Sequence, residues 1–201
     1  QWGGGGSADG QFSLPYGLAL GAGGNVYVAD AGNNRIENFT SGGAYLSKWG
    51  TLGTGSGDFR VPLGVAVDGS GNVYVSDHLN DRIEKFTSAG VYLGEWGSFG
   101  TGNGQFDYPD GVAVDGSSNV YVTDAANNRI QVFNSSGGYI TQWGSFGSGT
   151  GQFSFPTGIA VDGIGNVYVA DYSNSRIQKF TSTGTFLAQI GSFGAGNGQL
   201  Q

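Results

Sequence analysis

The stretch Gly64–Phe86 reads GVAVDGSGNVYVSDHLNDRIEKF and places a dense polar cluster between two apolar segments. It contains three aspartates, two asparagines, one arginine and His78, the only histidine of the chain. Such a cluster fits either a functional site or the polar residues of tight turns. The rest of the chain bears on this choice, because most of the stretch occurs four times.

The whole chain repeats one unit without insertion or deletion. Each unit is 47 residues long, since the motif Asn-Val-Tyr-Val begins at Asn25, Asn72, Asn119 and Asn166. The only four prolines follow the same spacing, at Pro15, Pro62, Pro109 and Pro156. A fixed period of this size is the signature of a repeat architecture.

Each unit contains four short candidate strands, here called a to d. In the second unit they are Gly64–Asp68, Val73–Asp77, Arg82–Phe86 and Val91–Trp96. They alternate apolar and polar residues or carry β-branched and aromatic side chains, which favours strands. The a–b link, Asp-Gly-Ser-Gly-Asn, has the composition of a hairpin turn with glycine at positive φ. No window has a helical period, so we expect almost no helix.

Four antiparallel strands in every repeat of about 45 residues predict the blades of an all-β β-propeller. We expect one domain, 1–201, with blades at about 12–50, 59–97, 106–144 and 153–191. The segments 1–11 and 192–201 are partial repeats in the same register, and they would compete for one place in a ring closed at four blades. The chain is therefore expected to be a segment of a larger propeller, or to complete its ring by associating with copies of itself.

The repeated pattern is similar to that of a known family. Pro-x-Gly-[Val/Ile/Leu]-Ala-[Val/Leu]-Asp…Gly-Asn-Val-Tyr-Val-x-Asp-x-x-Asn-x-Arg-Ile-x-x-Phe resembles the NHL repeat, and the resemblance covers essentially all 201 residues. It implies a propeller of about six blades.

The resemblance also bears on enzymatic activity. Propeller enzymes of related architecture, such as lactonases, amidating lyases and strictosidine-synthase-like proteins, hold a central metal with Glu, Asn, Asp or His at unequal positions in different blades. The units here are nearly equivalent, and Glu37, Glu84 and Glu95 lie in strands c and d. We therefore expect no enzymatic activity, with a metal-dependent hydrolase or lyase as the alternative.

Composition narrows the classes of partner and location. The net charge is −7 and the estimated pI is 4.3, so the surface repels phosphate and we expect no nucleic acid partner. No segment is apolar enough for membrane insertion, and methionine is absent even at position 1, which predicts a processed product or an excised segment. Acidity, lack of cysteine and richness in Gly, Ser, Thr and Asn favour an extracellular or cell-surface location.

A polar set follows strand b in every unit, for example Asp77, Asn80 and Arg82 in the second. A binding site is normally made once, whereas blade scaffolding is needed in every blade, so the repetition favours a structural role. We expect the aspartates and asparagines to hold the b–c turn while the arginines pair with the aspartates. These repeated aspartates and arginines are Asp30, Asp77, Asp124, Asp171, Arg35, Arg82, Arg129 and Arg176.

Residues that differ between units are the candidates for recognition. They precede the strand-a glycine or open the b–c loop, and in a propeller both loops lie around the mouth of the central channel. A chemically diverse face on a uniform scaffold is typical of a protein- or glycan-binding surface; the alternatives are drift at exposed positions and a structural, self-assembling array. The candidates are Tyr16, Leu63, Asp110, Thr157, His78, Leu79, Tyr172 and Ser173.

No cofactor and no catalytic residue are expected. His78 corresponds to Ala31, Ala125 and Tyr172 in the other units, which favours an exposed loop residue over a general base or a metal ligand. Calcium is an alternative for the aspartates of the a–b turns, but the motif lacks the alternating oxygen ligands of an EF-hand loop.

Overall fold

The computed structural model describes residues 2–200; Gln1 and Gln201, the outermost residues of the two partial repeats, lie outside the described residues. Residues 2–200 contain sixteen strands in four separate antiparallel sheets, each of four strands in sequence order. Blade 1 consists of β1 Pro15–Leu20, β2 Val26–Asp30, β3 Arg35–Phe39 and β4 Tyr45–Trp49, and blade 2 of β5 Pro62–Val67, β6 Val73–Asp77, β7 Arg82–Phe86 and β8 Tyr92–Trp96. Blade 3 consists of β9 Pro109–Val114, β10 Val120–Asp124, β11 Arg129–Phe133 and β12 Tyr139–Trp143. Blade 4 consists of β13 Pro156–Val161, β14 Val167–Asp171, β15 Arg176–Phe180 and β16 Phe186–Ile190.

The fold is an all-β propeller of four blades, which confirms the predicted fold class. Helix in the described part of the chain is limited to four three-residue 3₁₀ turns, Ala22–Gly24, Ala31–Asn33, His78–Asn80 and Tyr172–Asn174. Within residues 2–200 the structure has no helix of the length and apolarity that a membrane crossing requires.

The turns of each blade follow from their sequence. In blade 2 the Asp68 carboxylate accepts hydrogen bonds from the backbone N–H of Ser70 and Asn72, each over 2.9 Å, and so closes the turn between β5 and β6. Gly71 in this turn and Gly90 in the β7–β8 turn have φ of 85° and 81°, which glycine adopts without steric cost. Local polar chemistry therefore sets the register of each hairpin.

Consecutive blades pack face to face. The face of a blade that packs on the next blade in sequence is here called its leading face, and the opposite face its trailing face. Ala29 and Ile36 on the leading face of blade 1 share one buried cluster with Val65 and Phe86 on the trailing face of blade 2. Equivalent clusters join blades 2 and 3 and blades 3 and 4. Burying a side chain of this size contributes roughly 1.5–3 kcal/mol, so these three interfaces form the core.

The inner strands of the blades line a central channel. β5 packs beside β1, β9 beside β5, and β13 beside β9. β1 and β13 do not pack together in the same way, so the four blades form an arc with a free trailing face on blade 1 and a free leading face on blade 4.

Candidate functional site

The loops at the mouth of the channel are held by a polar network that recurs in every blade. In blade 2, Oδ2 of Asp77 accepts hydrogen bonds from Nε of Arg82 over 2.9 Å and from Nδ2 of Asn80 over 2.7 Å. Oδ1 of Asp77 accepts from the backbone N–H of Arg60 in the preceding loop. Arg82 also donates to the carbonyl oxygens of Gly55 and Asp58 in that loop. These are the contacts that the structural interpretation of the repeated aspartates and arginines requires.

One cavity of about 250 Å³ lies on the channel axis and touches the inner strands of all four blades. Three of the predicted recognition residues, Tyr16, Leu63 and Asp110, line it together. They hold the same position in β1, β5 and β9, one residue before the glycine at which neighbouring inner strands approach closely. The repeat therefore converts one variable sequence position into a cluster of different side chains around one cavity.

Asp110 is the most unusual residue of this cavity. The residue is only 4% exposed and lines the cavity, and its hydrogen bond within residues 2–200 is made by its backbone carbonyl oxygen rather than by its carboxylate. Burial raises the pKa of the Asp110 carboxyl to about 6. The carboxylate faces the cavity rather than the packed interior, so its position suits a group that accepts a donor or pairs with a cation there.

Tyr16 faces the same cavity from blade 1. Burial raises the pKa of its phenol, and the negative charge of Asp110 raises it further. The phenol therefore stays protonated and can donate a hydrogen bond to a ligand beside Asp110.

Thr157, the fourth residue at this position, does not line the cavity. Its carbonyl oxygen accepts a hydrogen bond from Oγ1 of Thr123 over 2.7 Å, and Gly111 donates to the same hydroxyl over 2.7 Å. Ser76 makes the corresponding bridge from Gly64 to the carbonyl oxygen of Asp110. This bridging hydroxyl, which lies two residues after the tyrosine of the Asn-Val-Tyr motif, was not identified from the sequence. The signal in the sequence is that Ser76 and Thr123 stand at a position where the other two units have alanine.

The loop candidates lie around the mouth but outside this cavity. His78 is half-buried and stacks on Tyr108, with ring centroids 4.9 Å apart, and its Nδ1 lies 3.2 Å from the carbonyl oxygen of Pro109. Burial lowers the pKa of His78. Leu79 and Ser173 anchor their loops through the backbone, since their N–H groups donate to the carbonyl oxygens of Arg60 and Ser154 respectively.

Tyr172 is exposed on the leading face of blade 4, outside the cavity but near enough to Tyr16 to raise the pKa of the Tyr16 phenol further. The eight predicted recognition residues are thus divided: three share the channel cavity and the others lie on loops or strands around it.

The a–b turns show how their aspartates are used. Asp68 also accepts hydrogen bonds from Nδ2 of Asn72 over 2.7 Å and from the hydroxyl of Tyr74 over 3.0 Å. Asp115 and Asp162 accept the equivalent bonds in blades 3 and 4. Across residues 2–200, no three His, Cys, Asp or Glu side chains are grouped in a way that would hold a metal ion.

Comparison with known protein families identifies the type of repeat in three of the four units. The NHL repeat family model matches residues 12–39, 106–133 and 153–180. A comparison with the sequences of curated proteins gives no match.

Solved structures similar to this chain are propellers that are longer than it. Virginiamycin B lyase from Staphylococcus aureus superposes with a TM-score of 0.64 at 20% identity, over 89% of this chain and 59% of the lyase. A streptogramin B lyase gives 0.65 at 18% identity, over 93% of this chain and 61% of the enzyme. Hydrazine synthase from Kuenenia stuttgartiensis gives 0.65 at 11% identity, over 92% of this chain and 52% of that one. The chain thus spans about three fifths of the length of these lyases.

The expectation that the chain is not an enzyme is wrong. It rested on the near equivalence of the blades and the lack of unequal metal ligands, but structures that share this arrangement of blades include two lyases. At these identities the likeness concerns the fold, and fold does not decide activity.

The sequence motif, the family match and the blade architecture all agree. Three of the four units match the NHL repeat, so the chain carries NHL repeats in a β-propeller fold.

Proposed function

We propose that the chain is a propeller scaffold that binds a protein ligand at the mouth of its channel, with Asp110 contacting a basic side chain of that ligand. The observation that carries this proposal is Asp110, a residue only 4% exposed whose carboxylate lies on the cavity wall and accepts no hydrogen bond from residues 2–200. A lysine or arginine entering the cavity would supply both the missing donors and the opposite charge.

The surroundings of Asp110 suit such a ligand. The net charge of −7 attracts cationic segments toward the protein and repels anionic ones. Tyr16 supplies an aromatic ring and a hydroxyl donor on the cavity wall, while Leu63 supplies an apolar surface for the methylene groups of a long basic side chain.

The test uses a peptide of glycine and serine with a single internal lysine, titrated into the protein at pH 7.5 and followed by NMR. Shifts of Tyr16 and Leu63 signals are expected with the wild type, and Asp110→Asn should abolish them. Asp107→Asn is the matched control, because it removes a neighbouring carboxylate that does not line the cavity. Equal binding by wild type and Asp110→Asn would overturn the proposal, as would saturable binding of neutral glycans alone.

A lyase is the second candidate, because a carboxyl group with a pKa of about 6 in a cavity is poised to exchange a proton near neutral pH. One of the similar structures is a virginiamycin B lyase variant with quinupristin. Incubation with quinupristin and mass spectrometry of the compound test this candidate. A change in quinupristin that Asp110→Asn abolishes would support it, and an unchanged compound would count against this substrate.

A further inference from the structure

The trailing face of blade 1 exposes apolar side chains that are buried in the other blades. Leu18 and Leu20 in β1 are 68% and 70% exposed. Val65 and Val112, which occupy the position of Leu18 in blades 2 and 3, are each only 6% exposed because the preceding blade covers them.

The leading face of blade 4 is also uncovered, and it is the kind of face that packs on a trailing face in the internal interfaces. Ile177 is only half-buried, whereas Ile36, Ile83 and Ile130 at the same position in the first three blades are fully buried. A cavity of about 210 Å³ lies on this face, with Ala170, Ile177 and Leu200 among the residues that line it. It occupies the side of the blade on which a following blade packs in the three internal interfaces.

These two faces are the unpaired halves of an interface that the chain forms three times internally. We propose that a second copy of this chain docks head to tail, with the leading face of blade 4 packed on the trailing face of blade 1 of the other copy. The interface is heterologous, and it closes a ring of two copies when they are related by a twofold axis, in which case they form it twice. Propellers generally have about 4–8 blades, and two four-blade copies reach the upper end of that range.

The residues before β1 determine how the two copies fit. Trp2 and Phe12 pack on Phe39 in blade 1, with ring centroids 4.6 Å and 5.6 Å away. Trp49 and Phe59 pack on Phe86 in blade 2 in the same manner, each with centroids 5.7 Å away. The segment Trp2–Phe12 thus already fills the place on blade 1 that the end of a preceding blade takes.

An incoming blade 4 would bring Ile190 and Leu200 to that same place. Trp2 and Phe12 carry the aromatic rings found at these positions in the internal interfaces, and the incoming segment carries smaller aliphatic side chains. We therefore expect the segment Trp2–Phe12 to stay on blade 1, and residues 191–200 of the docking copy to be displaced.

The space beside the repeated glycine of each inner strand differs between blades that are followed by another blade and blade 4, which is not. A Cβ added at Gly64 would lie 2.5 Å from the carbonyl oxygen of Asp110, and one added at Gly111 would lie 2.5 Å from that of Thr157. At Gly158, the equivalent residue of blade 4, the nearest atom is Cβ of Ala170 at 3.8 Å. Alanine at Gly158 therefore fits the single chain but would collide with the inner strand of a docked copy.

The experiment is sedimentation equilibrium of the full chain over a range of concentrations, with circular dichroism to verify folding. The wild type is expected to approach twice the chain mass of 20.6 kDa. Gly158→Ala, and separately Leu18→Asp with Leu20→Asp, should stay at the single-chain mass while keeping the wild-type spectrum.

Matched controls are Gly163→Ala, where an added Cβ meets nothing within 4 Å, and Phe146→Asp, an exposed apolar residue of the β12–β13 loop. Both should associate as the wild type does. A wild type that remains a single chain at every concentration would overturn the proposal, and so would a Gly158→Ala variant that associates normally. Masses that grow beyond two copies would overturn closure of the ring at two.

A second readout follows the displaced segment. Amide hydrogen exchange of residues 191–200 should quicken as the wild type associates, while exchange of residues 2–12 stays unchanged. Faster exchange of residues 2–12 with unchanged exchange of residues 191–200 would show that the segment Trp2–Phe12 is the one displaced, and it would overturn that part of the proposal.

Discussion

Gln131 donates a hydrogen bond from its side-chain Nε2 to Oδ2 of Asp124 over 3.1 Å, at the buried base of blade 3. The same amide donates to the carbonyl oxygen of Gln105 over 2.6 Å. Gln178 makes the equivalent bonds in blade 4, but blades 1 and 2 carry Glu37 and Glu84 at this position. A glutamate can donate there only when it is protonated.

We predict that Glu84→Gln removes a pH dependence of stability. Burial raises the pKa of Glu84 to about 8, against 4.5 for a free glutamate, although Arg82 lies 2.6 Å from its carboxylate. Between these values the folded state binds more protons than the unfolded state, so the unfolding free energy falls as pH rises, by at most about 1.4 kcal/mol per pH unit.

Urea denaturation from pH 5 to pH 8 measures this slope. The variant should show a shallower slope than the wild type and should be the more stable protein at pH 8. Glu95→Gln is the control, because Glu95 also pairs with Arg82 but is partly exposed. Parallel curves for wild type and Glu84→Gln would contradict the assignment.

We predict that Arg129→Lys destabilises the protein by about 1.5–3 kcal/mol, because hydrogen bonds to a charged group are lost while the charge is kept. Arg129 donates to Asp124 over 2.7 Å and to the carbonyl oxygens of Thr101, Gly102 and Gln105 in the preceding loop. A lysine cannot reproduce this set of bonds, and Asp124 would lose the Arg129 bond while it keeps those from Asn127 and Gln131. Urea denaturation gives the loss, and Arg60→Lys, at an exposed position, should cost little. Similar losses for the two variants would rule out the anchoring role.

We predict that Gly111→Ala weakens the contact between blades 3 and 4. The added Cβ would lie 2.5 Å from the carbonyl oxygen of Thr157 and 3.1 Å from the backbone nitrogen of Ile159. Backbone atoms cannot move aside cheaply, so we expect a loss of about 1–3 kcal/mol or more. Thermal denaturation compares this variant with Gly116→Ala, where the added Cβ meets nothing within 4 Å. Equal melting temperatures would show that the inner strands separate easily.

We predict that Asp110 titrates near pH 6. Its folded pKa lies above the ordinary value of 3.8, so the unfolding free energy falls as pH rises from about 3.8 to about 6, and Asp110→Asn removes this decrease. Binding of a basic peptide should change in the opposite sense and strengthen as the carboxyl group ionises. A ¹³C NMR titration of the aspartate carboxyl carbons measures the pKa directly, and a value near 3.8 would contradict the buried environment.

Much of the blade could be predicted from the sequence because its determinants are local. The strands Val73–Asp77 and Arg82–Phe86 of the second unit lie where the alternation and the turn residues predict them. The first strand begins at Pro62 rather than Gly64, because proline and the next residue also lie beside β6, where Pro62 pairs with Asp77 across a bulge. Alternation of side chains does not reveal such an irregular pairing.

Only part of the candidate site could be predicted from the sequence. Comparing the units marked Tyr16, Leu63 and Asp110 as variable, and the structure brings these three to one cavity. It did not reveal that Asp110 is buried without a partner or that Thr157 lies outside the cavity, because both depend on where neighbouring blades place their backbones. Ligand, location and activity stay predictions to be tested.

The sequence by itself determined the repeat, the four-stranded blade and its turns, since side-chain alternation, glycine at positive φ and aspartate-capped turns act over a few residues. Only the tertiary structure decided how blades stack, which apolar faces remain open at Leu18 and Ile177, and which carboxylates are desolvated. These properties depend on contacts between residues distant in the sequence, such as Gly57, whose N–H donates to Glu84, and the neighbouring inner strands beside Asp110. For that reason Glu84 and Asp110 look ordinary in the sequence and acquire their raised pKa values only when the chain folds.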